Sequence, residues 1–544
     1  HPLVVRAVIE HCLEAGAKDV RVFDRTCNDP RRCYVQSGIQ EAVEGMKSER
    51  VKIEHMDRRA YRDLDIANGK DLTRWSFYQP ALDADRFINL PVRLPDGFHW
   101  DILHMWSKVK NGMAKAASSG SAFSGVGLDT WGVDFGLLDK HNALLGNPFY
   151  YRDSRTDGMV EEALKRMPRK EIFLKTGAQF SSFNTLFQLL SMSINQSPLF
   201  EIAETFLTMP DIFNFWMSGV VGNEFTDATT TQCLNPLIHD WDRDVLNAMN
   251  IPSRFFQKVI EPGTVLGPLR GEVASDTRLS GVTVIAPACH DTGSAVVAVP
   301  MQNSDCAWLS SGTWSIIGAE ISAPDLSEKA LAYNFANEGS VFGKWRLLKN
   351  VVGMWIVQEC RRYWKKHGED YSYQELTQMA SEAQPFMAVI NPDYEQFLFP
   401  GEMPGKIQNY CKSSGQSVPQ TKGEILRVIF ESLALKYRFV FTRLEELVEK
   451  QLNPLHIIGG GSQNRLLNQF TADCTGRLVV SGPVEATAIG NVLMQAIAMG
   501  HLSSIAEARE LVRKSFAVES FTPGKRDEWD RSYQKLLNLM KNES

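Results

Sequence analysis

Three consecutive glycines, Gly459-Gly460-Gly461, constrain the fold of this chain more than any other local feature. The run before them, Leu455–Ile458, has the length and apolar character of a buried strand, and Gln463–Cys474 after them has helical spacing. Glycines at such a turn let a ligand approach the backbone, and a helix N-terminus favours an anion. The segment predicts a phosphate or nucleotide site in an α/β protein. A glycine-rich turn without a ligand is the alternative, with about even odds.

Strand-like and helix-like runs alternate elsewhere too, which favours α/β layers. The predicted strands are Val20–Phe23, Val51–Ile53, Val126–Leu128, Val133–Leu138 and Val282–Ile285, and the predicted helices are Val4–Leu13, Cys33–Met46 and Asp101–Ala117. We expect Val126–Leu128 and Val133–Leu138 to form a hairpin-like edge around the turn Asp129-Thr130-Trp131-Gly132. Such a turn would present backbone groups and an Asp to a ligand.

The size and composition of the chain fit a globular protein of two or three domains. Its 544 residues exceed what one hydrophobic core supports, and 44% are hydrophobic and 22% charged. The net charge is −6 with dispersed basic residues, so we expect no nucleic-acid or membrane-surface partner. No apolar run approaches the roughly 20 residues of a membrane helix, and no signal-peptide pattern is present, so we expect a cytoplasmic protein. The chain begins at His1 and not at Met, which suggests a fragment or a processed reading frame.

Two polar segments follow predicted strands, where side chains are delivered into a cleft. In His290-Asp291-Thr292, Asp291 could accept a proton from a sugar hydroxyl during phosphate transfer. Taken alone, such an Asp is more often a helix N-cap, with odds of roughly 3:1. Ser310-Ser311-Gly312-Thr313 is suited to contacts with phosphate, and a plain β-turn is about as probable a reading.

Several other site classes lose their strongest support. The sequence contains no G-x-x-x-x-G-K-[ST], no G-x-G-x-x-G and no H-E-x-x-H, which disfavours P-loop, dinucleotide and zincin sites. Nine scattered cysteines indicate reduced thiols. Cys27 and Cys33 are read as two ordinary thiols, with odds of roughly 4:1 over a metal site, because two further ligands at metal spacing are missing.

Seven segments, taken in order, resemble the rhamnulokinases of the FGGY carbohydrate kinase family in residue type and spacing. They are Gly127-Leu128-Asp129-Thr130-Trp131-Gly132-Val133-Asp134-Phe135, Tyr151-Arg152-Asp153-Ser154-Arg155-Thr156, Phe183-Asn184-Thr185-Leu186, His290-Asp291-Thr292, Leu309-Ser310-Ser311-Gly312-Thr313-Trp314, Leu348-Lys349-Asn350 and Ile458-Gly459-Gly460-Gly461-Ser462-Gln463-Asn464. The resemblance covers about Arg93–Pro523 and is far more specific than any single motif.

The resemblance implies two actin-like (ribonuclease H-like) domains around a cleft, at 93–298 for the sugar and 299–544 for the nucleotide. It implies transfer of the γ-phosphate of ATP to the 1-hydroxyl of L-rhamnulose, with Mg²⁺. Asp291 matches the family's general base, and no residue is assigned to a metal. The sugar-contacting positions match Gly132, His290, Asp291, Thr292 and Asn350, and the nucleotide-contacting positions match Thr313, Gln358 and Gly460.

The first 92 residues resemble part of another group, the domain-of-unknown-function-362 family. The segments that carry this resemblance are Glu14-Ala15-Gly16-Ala17-Lys18-Asp19-Val20, Cys27-Asn28-Asp29-Pro30-Arg31-Arg32-Cys33-Tyr34 and Arg86-Phe87-Ile88-Asn89-Leu90-Pro91. FGGY kinases open with a β-hairpin whose Asp-Leu-Gly-Ala-Ser-Ser-Gly-Arg-type loop holds ATP phosphates, and the sequence contains no such loop. We therefore expect a first kinase domain that lacks this hairpin and follows a small foreign βα segment.

Three functions follow from these observations. The first is a rhamnulokinase-like phosphotransferase. The second is a catalytically impaired protein that binds sugar and nucleotide but cannot align the phosphates, since one electrostatic donor alone is worth about 10²–10³ in rate. The third is an electron-transfer or metal-binding module led by the N-terminal segment, and we expect no iron–sulfur cluster because four-cysteine runs are absent.

Overall fold

The computed structural model describes Met46, residues 97–119 and 121–543, and the backbone of short strands before residue 97. Two compact units are present. The larger consists of Gly97–Tyr363 and Tyr371–Ser544, and the smaller of His1–Asp96 and Trp364–Asp370.

The smaller unit is described through its strands, which are β1 (Val20–Val22), β2 (Val51–Ile53), β3 (Tyr61–Asp65), β4 (Arg74–Tyr78) and β5 (Arg93–Leu94). The first two pair in parallel and the next two pair antiparallel. The strands predicted near Val20 and Val51 are therefore confirmed. The helices predicted at 4–13 and 33–46, apart from Met46, and the Cys27 and Cys33 motif lie outside the described residues.

The N-terminal half of the larger unit, residues 97–298, alternates short strands with helices. Its elements are β6 (Gly97–Phe98), α1 (Ile102–Ala117), β7 (Gly125–Val126), β8 (Phe135–Leu138), α2 (Met159–Arg166), α3 (Arg169–Thr176), α4 (Thr185–Ile194), α5 (Leu199–Ile202), β9 (Thr205–Thr208), α6 (Met209–Ser218), β10 (Asn223–Glu224), α7 (Phe225–Ala228), β11 (Leu234–Asn235), β12 (Asp240–Trp241), α8 (Arg243–Ala248), β13 (Val259–Ile260), β14 (Thr264–Pro268), α9 (Gly271–Thr277), β15 (Thr283–Ala286) and α10 (Asp291–Val297). In its main sheet β15 lies between β14, antiparallel to it, and β7, parallel to it.

The predicted hairpin around residues 129–132 is wrong. β7 pairs with β15, whereas β8 pairs with β9, so the two segments belong to different sheets. The physical reason lies in the turn, where Val133 has a positive φ of 69° and donates its N–H to Thr230 Oγ1 at 3.0 Å. A positive φ is costly for a β-branched residue and redirects the chain away from a two-strand ribbon.

The C-terminal half, residues 299–543, is built on one large sheet. Its elements are β16 (Ala307–Ser311), β17 (Trp314–Ile321), α11 (Glu328–Tyr333), β18 (Ala336–Gly339), β19 (Trp345–Val352), α12 (Trp355–Lys366), α13 (Tyr373–Glu382), α14 (Met403–Ser413), α15 (Lys422–Val448), β20 (Leu455–Ile458), α16 (Arg465–Thr475), β21 (Val479–Ser481), α17 (Ala486–Ala498), α18 (Ile505–Ser515), β22 (Glu519–Phe521) and α19 (Asp527–Glu543). The seven strands have the order β18-β19-β17-β16-β20-β21-β22.

The register of this sheet gathers several strand ends at one edge. β16, β17 and β19 form an antiparallel series, and β20 runs parallel to β16 with Ser310 opposite Ile458. The end of β16, the start of β17 and the end of β20 therefore lie side by side. This edge carries both small-residue turns that the sequence analysis singled out.

Buried apolar side chains hold each half together. Trp308 on β16, the central strand of the seven, is fully buried, and Phe187 and Phe206 are fully buried in the N-terminal half. The long helix α15 begins with a capping box in which Thr421 and Glu424 satisfy each other's backbone N–H groups. Across the part of the chain that the structure describes, no helix has both the length and the apolar character that crossing a membrane requires.

Candidate active site

The turn that follows β7 and the start of α10 are fastened to each other by backbone hydrogen bonds. Thr130 N–H donates to Cys289 O at 2.9 Å, and Asp291 N–H donates to Thr130 O at 2.8 Å. His290 is the N-cap of α10 without a side-chain cap bond, and Asp291 is its first residue. The structure thus brings the predicted sugar positions 290–292 next to the turn that contains Gly132.

Gly132 and Val133 are fixed by a close approach to Thr230. A Cβ on Gly132 would lie 2.7 Å from Thr230 Oγ1, so only glycine fits here. The carbonyl of Val133 accepts a hydrogen bond from Thr185 Oγ1 at 2.6 Å. Hydrogen bonds with Thr230 and Thr185 therefore fix the backbone on both sides of Val133.

A buried carboxyl group, Asp134, anchors the far end of this turn. It accepts hydrogen bonds from Trp100 Nε1 at 2.6 Å, Trp131 Nε1 at 2.9 Å and Gln188 Nε2 at 3.0 Å. Burial raises its pKa to about 6, against the opposing effect of these donors. The group is a structural anchor, since it is fully buried.

Asp291 is accessible, whereas its neighbour His290 is enclosed. The Asp291 side chain is 46% exposed and the His290 side chain 11%. The His290 Nε2 atom lies 3.5 Å from Asp291 Oδ1. A carboxylate with one face open to solvent and one beside a ring nitrogen can accept a proton from a bound hydroxyl.

Asp129, in the turn that follows β7, interacts electrostatically with the same pair. Burial raises its pKa to about 6, and the charge of Asp291 contributes in the same direction. Its carboxylate accepts a hydrogen bond from Asn491 of α17, in the C-terminal half. The site is therefore joined to the other half of the unit at this carboxylate.

Buried carboxyl groups also lie behind the site. Glu224 accepts hydrogen bonds from Thr226 Oγ1 at 2.6 Å and from Cys289 N–H at 3.1 Å. Burial raises the pKa of Glu224 to about 8. It raises the pKa of Asp227 well above its ordinary value as well. Glu224 thereby fixes the backbone of Cys289, the residue before His290.

Asn350 lies on β19 and is linked to the N-terminal half. Its N–H donates to Gln179 Oε1 at 3.1 Å. It is four residues from Arg346, whose guanidinium reaches His290, so about 13 Å of strand separates the two Cα atoms. Side chains at these two positions share one face of the strand. Asn350 is thus on the face of β19 that reaches His290, but further along the strand.

The predicted nucleotide positions gather at the edge of the seven-stranded sheet. Thr313 Oγ1 donates to Gln358 Oε1 at 3.2 Å. Gly461 packs closely against Ser311 at the end of β16, because a Cβ on Gly461 would lie 2.1 Å from Ser311 Oγ. A Cβ on Gly460 would meet nothing within 4 Å, which leaves open space over the backbone.

The sequence predicted that a helix follows the glycine loop directly, and this prediction is wrong. Residues Gly460–Gln463 form a 3₁₀ turn, and α16 starts at Arg465 after the N-cap Asn464. The Asn464 side chain accepts from Leu467 N–H at 3.0 Å and so occupies one free donor of the helix. An anion here would meet the loop backbone more than the helix end.

Arg152, from the N-terminal half, packs against two tryptophans of the C-terminal half. Its guanidinium lies 5.5 Å from the ring centre of Trp314 and 5.2 Å from that of Trp355, both adjacent to the turn of Thr313. Such contacts hold an Arg by cation–π attraction. Arg152 belongs to one of the segments that resemble the FGGY family, but no role was predicted for it from the sequence.

Several residues of the site had no signal in the sequence. Glu338 and Arg346 contact His290, yet they lie about fifty residues away in a strand pair with no motif of its own. Only an expectation that a buried ring nitrogen needs a partner would have prompted a search for them.

Comparisons with known proteins identify the family. Residues 86–298 match the N-terminal domain and residues 307–499 the C-terminal domain of the FGGY family of carbohydrate kinases. A rhamnulokinase of Bacteroides thetaiotaomicron is 41% identical, over 88% of this chain and 98% of its own length. The chain belongs to the FGGY family of carbohydrate kinases. A rhamnulokinase of Halalkalibacterium halodurans is 40% identical, over 82% of this chain and 94% of its own length.

The fold of this FGGY kinase is shared with solved structures. A ligand-bound xylulose kinase from Lactobacillus acidophilus superposes with a TM-score of 0.70 at 16% identity, covering 89% of this chain and 95% of its own. A glycerol kinase from Plasmodium falciparum with ADP superposes with a TM-score of 0.66 at 14% identity, covering 82% and 90%. The expected α/β fold of a two-domain sugar kinase is confirmed.

Residues 1–93 match the domain of unknown function DUF362, as the resemblance indicated. The share of the chain aligned with the Bacteroides relative exceeds the part from Arg93 to Ser544, so that alignment includes residues before Arg93. The DUF362 match at 1–93 and the match to the FGGY N-terminal domain at 86–298 therefore overlap at residues 86–93.

Proposed function

We propose that this FGGY kinase phosphorylates the 1-hydroxyl of L-rhamnulose with ATP, giving L-rhamnulose 1-phosphate. The observation that carries the proposal is the placement of Asp291, which is partly exposed at the start of α10 and fastened to the turn of Gly132. Relatives named rhamnulokinase, at 36–41% identity, supply the choice of sugar.

The chemistry needs one proton acceptor beside the attacking hydroxyl. Asp291 takes the proton of the 1-hydroxyl while the oxygen of that hydroxyl forms a bond to the γ-phosphorus of ATP. The bond from that phosphorus to the bridging oxygen of ATP breaks, and ADP leaves with the electron pair. A positioned proton acceptor is worth about 10²–10⁴ in rate.

The sugar is held in this proposal by the residues around Asp291. His290 and Thr292 flank the base in sequence, and the turn of Gly132 is bonded to the same segment. Asn350 would contact a hydroxyl further along the sugar, since it lies on the face of β19 that reaches His290. We assign residues 93–298 to sugar binding on this basis, and residues 299–544 to the nucleotide.

Two features of the predicted nucleotide positions support ATP as the phosphate donor. The open space above Gly460 lets a ligand approach the backbone, and the Thr313 and Gln358 pair supplies a hydroxyl and an amide. Mg²⁺ would neutralise phosphate charge, as in other phosphoryl-transfer sites. It is commonly bound by one or two carboxylates plus substrate phosphates, and Asp129 and Asp291, whose charges interact beside the sugar positions, would supply those carboxylates.

A second candidate is a protein that binds both ligands without turnover. It is favoured by one observation, the absence of a family-type Gly/Ser phosphate loop from the sequence. Calorimetry would then show binding of L-rhamnulose and of ATP, with no ADP formed.

Product analysis tests the proposal. The full chain is incubated with ATP, Mg²⁺ and L-rhamnulose, and ³¹P NMR follows the γ-phosphate. We expect a phosphomonoester coupled to the C1 protons of the sugar. A phosphate on another carbon would contradict the assigned hydroxyl, and phosphorylation only of a different ketose would contradict the substrate.

A further inference from the structure

Two buried charged side chains meet at one nitrogen of the buried His290 ring. The Nδ1 atom lies 3.1 Å from Glu338 Oε2 and 3.3 Å from Arg346 Nη2. Arg346 Nη2 is itself 3.2 Å from Glu338 Oε2. Arg346 is fully buried, and Glu338 and His290 are 7% and 8% exposed.

The two charged residues are presented to the ring by a rigid pair of strands. Glu338 on β18 stands directly opposite Arg346 on β19 in the antiparallel register. Arg346 Nε donates to Gly339 O at 2.8 Å, which fixes the plane of the guanidinium. Both strands belong to the C-terminal half, whereas His290 belongs to the N-terminal half.

His290 is held from its own half as well. Its N–H donates to Thr226 Oγ1 at 3.1 Å. Close by, Gly339 N–H donates to Thr229 Oγ1 at 2.8 Å, so the strand that carries Glu338 is bonded to the N-terminal half. In the His290 ring, Nδ1 contacts Glu338 and Arg346 of the C-terminal half, and Nε2 lies beside Asp291 of the N-terminal half.

Such an arrangement is expensive as a purely structural device. Burying a charge pair costs desolvation that an apolar pair of similar volume would avoid. Burial alone would raise the pKa of Glu338, but the charges of His290 and Arg346 outweigh it and lower the pKa. The carboxylate therefore stays charged next to the ring.

We propose that Glu338 and Arg346 are positioning residues for sugar phosphorylation, which fix the His290 ring so that Nε2 faces the ketose beside Asp291. The proposal rests on the proposed function, and it adds that the C-terminal half, through β18 and β19, completes the sugar site. Without the carboxylate, Arg346 would keep a buried charge and the ring would lose one of its two polar contacts at Nδ1.

The first test compares two isosteric variants. Glu338→Gln should raise the KM for L-rhamnulose or lower kcat/KM about 10- to 100-fold, the range for a lost hydrogen bond to a charged group, with the KM for ATP within about twofold. The matched control is Glu445→Gln, because Glu445 on α15 pairs with Arg477 at 2.8 Å and is similarly buried. That control should leave both KM values unchanged.

A double-mutant cycle separates positioning of the ring from general destabilisation. In a His290→Ala background, Glu338→Gln should add nothing to the loss in kcat/KM, because the ring it positions is gone. Equal losses in the two backgrounds would overturn the proposal. So would an unchanged ketose KM and kcat/KM in Glu338→Gln in the wild-type background.

A readout independent of turnover keeps the proposal distinct from the proposed function. Long-range ¹H–¹⁵N NMR of the 11 histidines, with His290 assigned through His290→Ala, reports the environment of its ring nitrogens. We expect the His290 signals to shift in Glu338→Gln and not in Glu445→Gln. Unshifted signals in Glu338→Gln would overturn the proposal. Shifted signals in that variant, together with no turnover by the wild-type chain, would reject only the proposed function.

Discussion

At the scale of single residues, the site depends on groups whose environments differ strongly from water. Glu224, Asp227 and Asp134 are all fully buried. Glu224 accepts a hydrogen bond from the Cys289 N–H, and Asp134 accepts one from Gln188. The partly exposed Asp291 therefore lies next to segments that buried carboxyl groups hold in place. These buried groups make stability depend on pH in a direction that can be calculated.

Glu224 gives the clearest pH prediction. Burial raises its pKa from 4.5 to about 8, so the folded state binds this proton more tightly than the unfolded state. Its contribution to stability is full below about pH 4.5 and is lost as pH rises through 8, at about 1.4 kcal/mol per pKa unit. The melting temperature of Glu224→Gln relative to wild type should therefore be higher at pH 9 than at pH 6.

Thermal melts at the two pH values check this prediction. Glu161→Gln is the control, because Glu161 is exposed and no contact of the site involves it. A difference between wild type and Glu224→Gln that does not change with pH would show that the buried carboxyl is not protonated in the folded state.

The sugar-contacting assignments make a second residue-scale prediction. His290→Ala and Asn350→Ala should each weaken binding of L-rhamnulose about tenfold, the value of a lost hydrogen bond. Isothermal calorimetry measures the affinity, and Asn195→Ala, at an exposed asparagine, is the control. Unchanged affinity in both site variants would remove these residues from the sugar site.

At the scale of elements, the sequence predicted what local pattern determines. The strands Leu455–Ile458 and Val51–Ile53 were predicted with their correct bounds, because apolar runs bounded by turn residues carry that information. The predicted hairpin at 126–138 was wrong because the path of the chain at Val133 depends on Thr185 and Thr230, which are about fifty and about a hundred residues away. Glu338 and Arg346 were missed for the same reason, since their role arises from register between strands and from contact across the halves.

The glycine loop gives an element-scale prediction with its own control. Gly461→Ala should lower the melting temperature and raise the KM for ATP, because its Cβ would lie 2.1 Å from Ser311 Oγ. An overpacked methyl group typically costs about 1–3 kcal/mol.

Gly460→Ala is the matched control for stability. Its Cβ meets nothing within 4 Å, so the melting temperature should stay at the wild-type value. A nucleotide that lies close to this backbone would still be hindered, which raises the KM for ATP alone. If both variants bind ATP like wild type, the loop is not part of the nucleotide site.

At the scale of the whole molecule, contacts between the halves of the larger unit carry the account. Asn491 bonds to Asp129, Gln179 accepts from Asn350, and Thr229 accepts from Gly339. Each of these links ends beside a predicted sugar position or beside Glu338. In the proposed function, sugar binding is therefore expected to depend on the arrangement of the two halves through these three hydrogen bonds.

Replacement of residues 1–92 tests the role of the phosphate loop that the sequence lacks. Substituting the N-terminal hairpin of a rhamnulokinase relative should raise kcat/KM, because ATP would be held from both halves with the γ-phosphate in line with the hydroxyl. One electrostatic donor is worth about 10²–10³ in rate, which sets the expected scale. The control carries the same hairpin with its loop Ser and Arg changed to Ala. Equal kcat/KM in the original and replaced chains would show that the loop is dispensable.

The most direct test of the central claim is ketose-dependent ADP release by the full chain, compared with Asp291→Asn. The account predicts turnover of L-rhamnulose by the wild-type chain and a kcat about 10²–10⁴ lower in the variant, since a positioned proton acceptor is worth that much. L-Rhamnulose affinity and melting temperature should be retained, because the Asp291 side chain is 46% exposed and its amide analogue has the same shape. Near-full kcat in Asp291→Asn, or no ketose-dependent ADP release by the wild-type chain, would contradict the account.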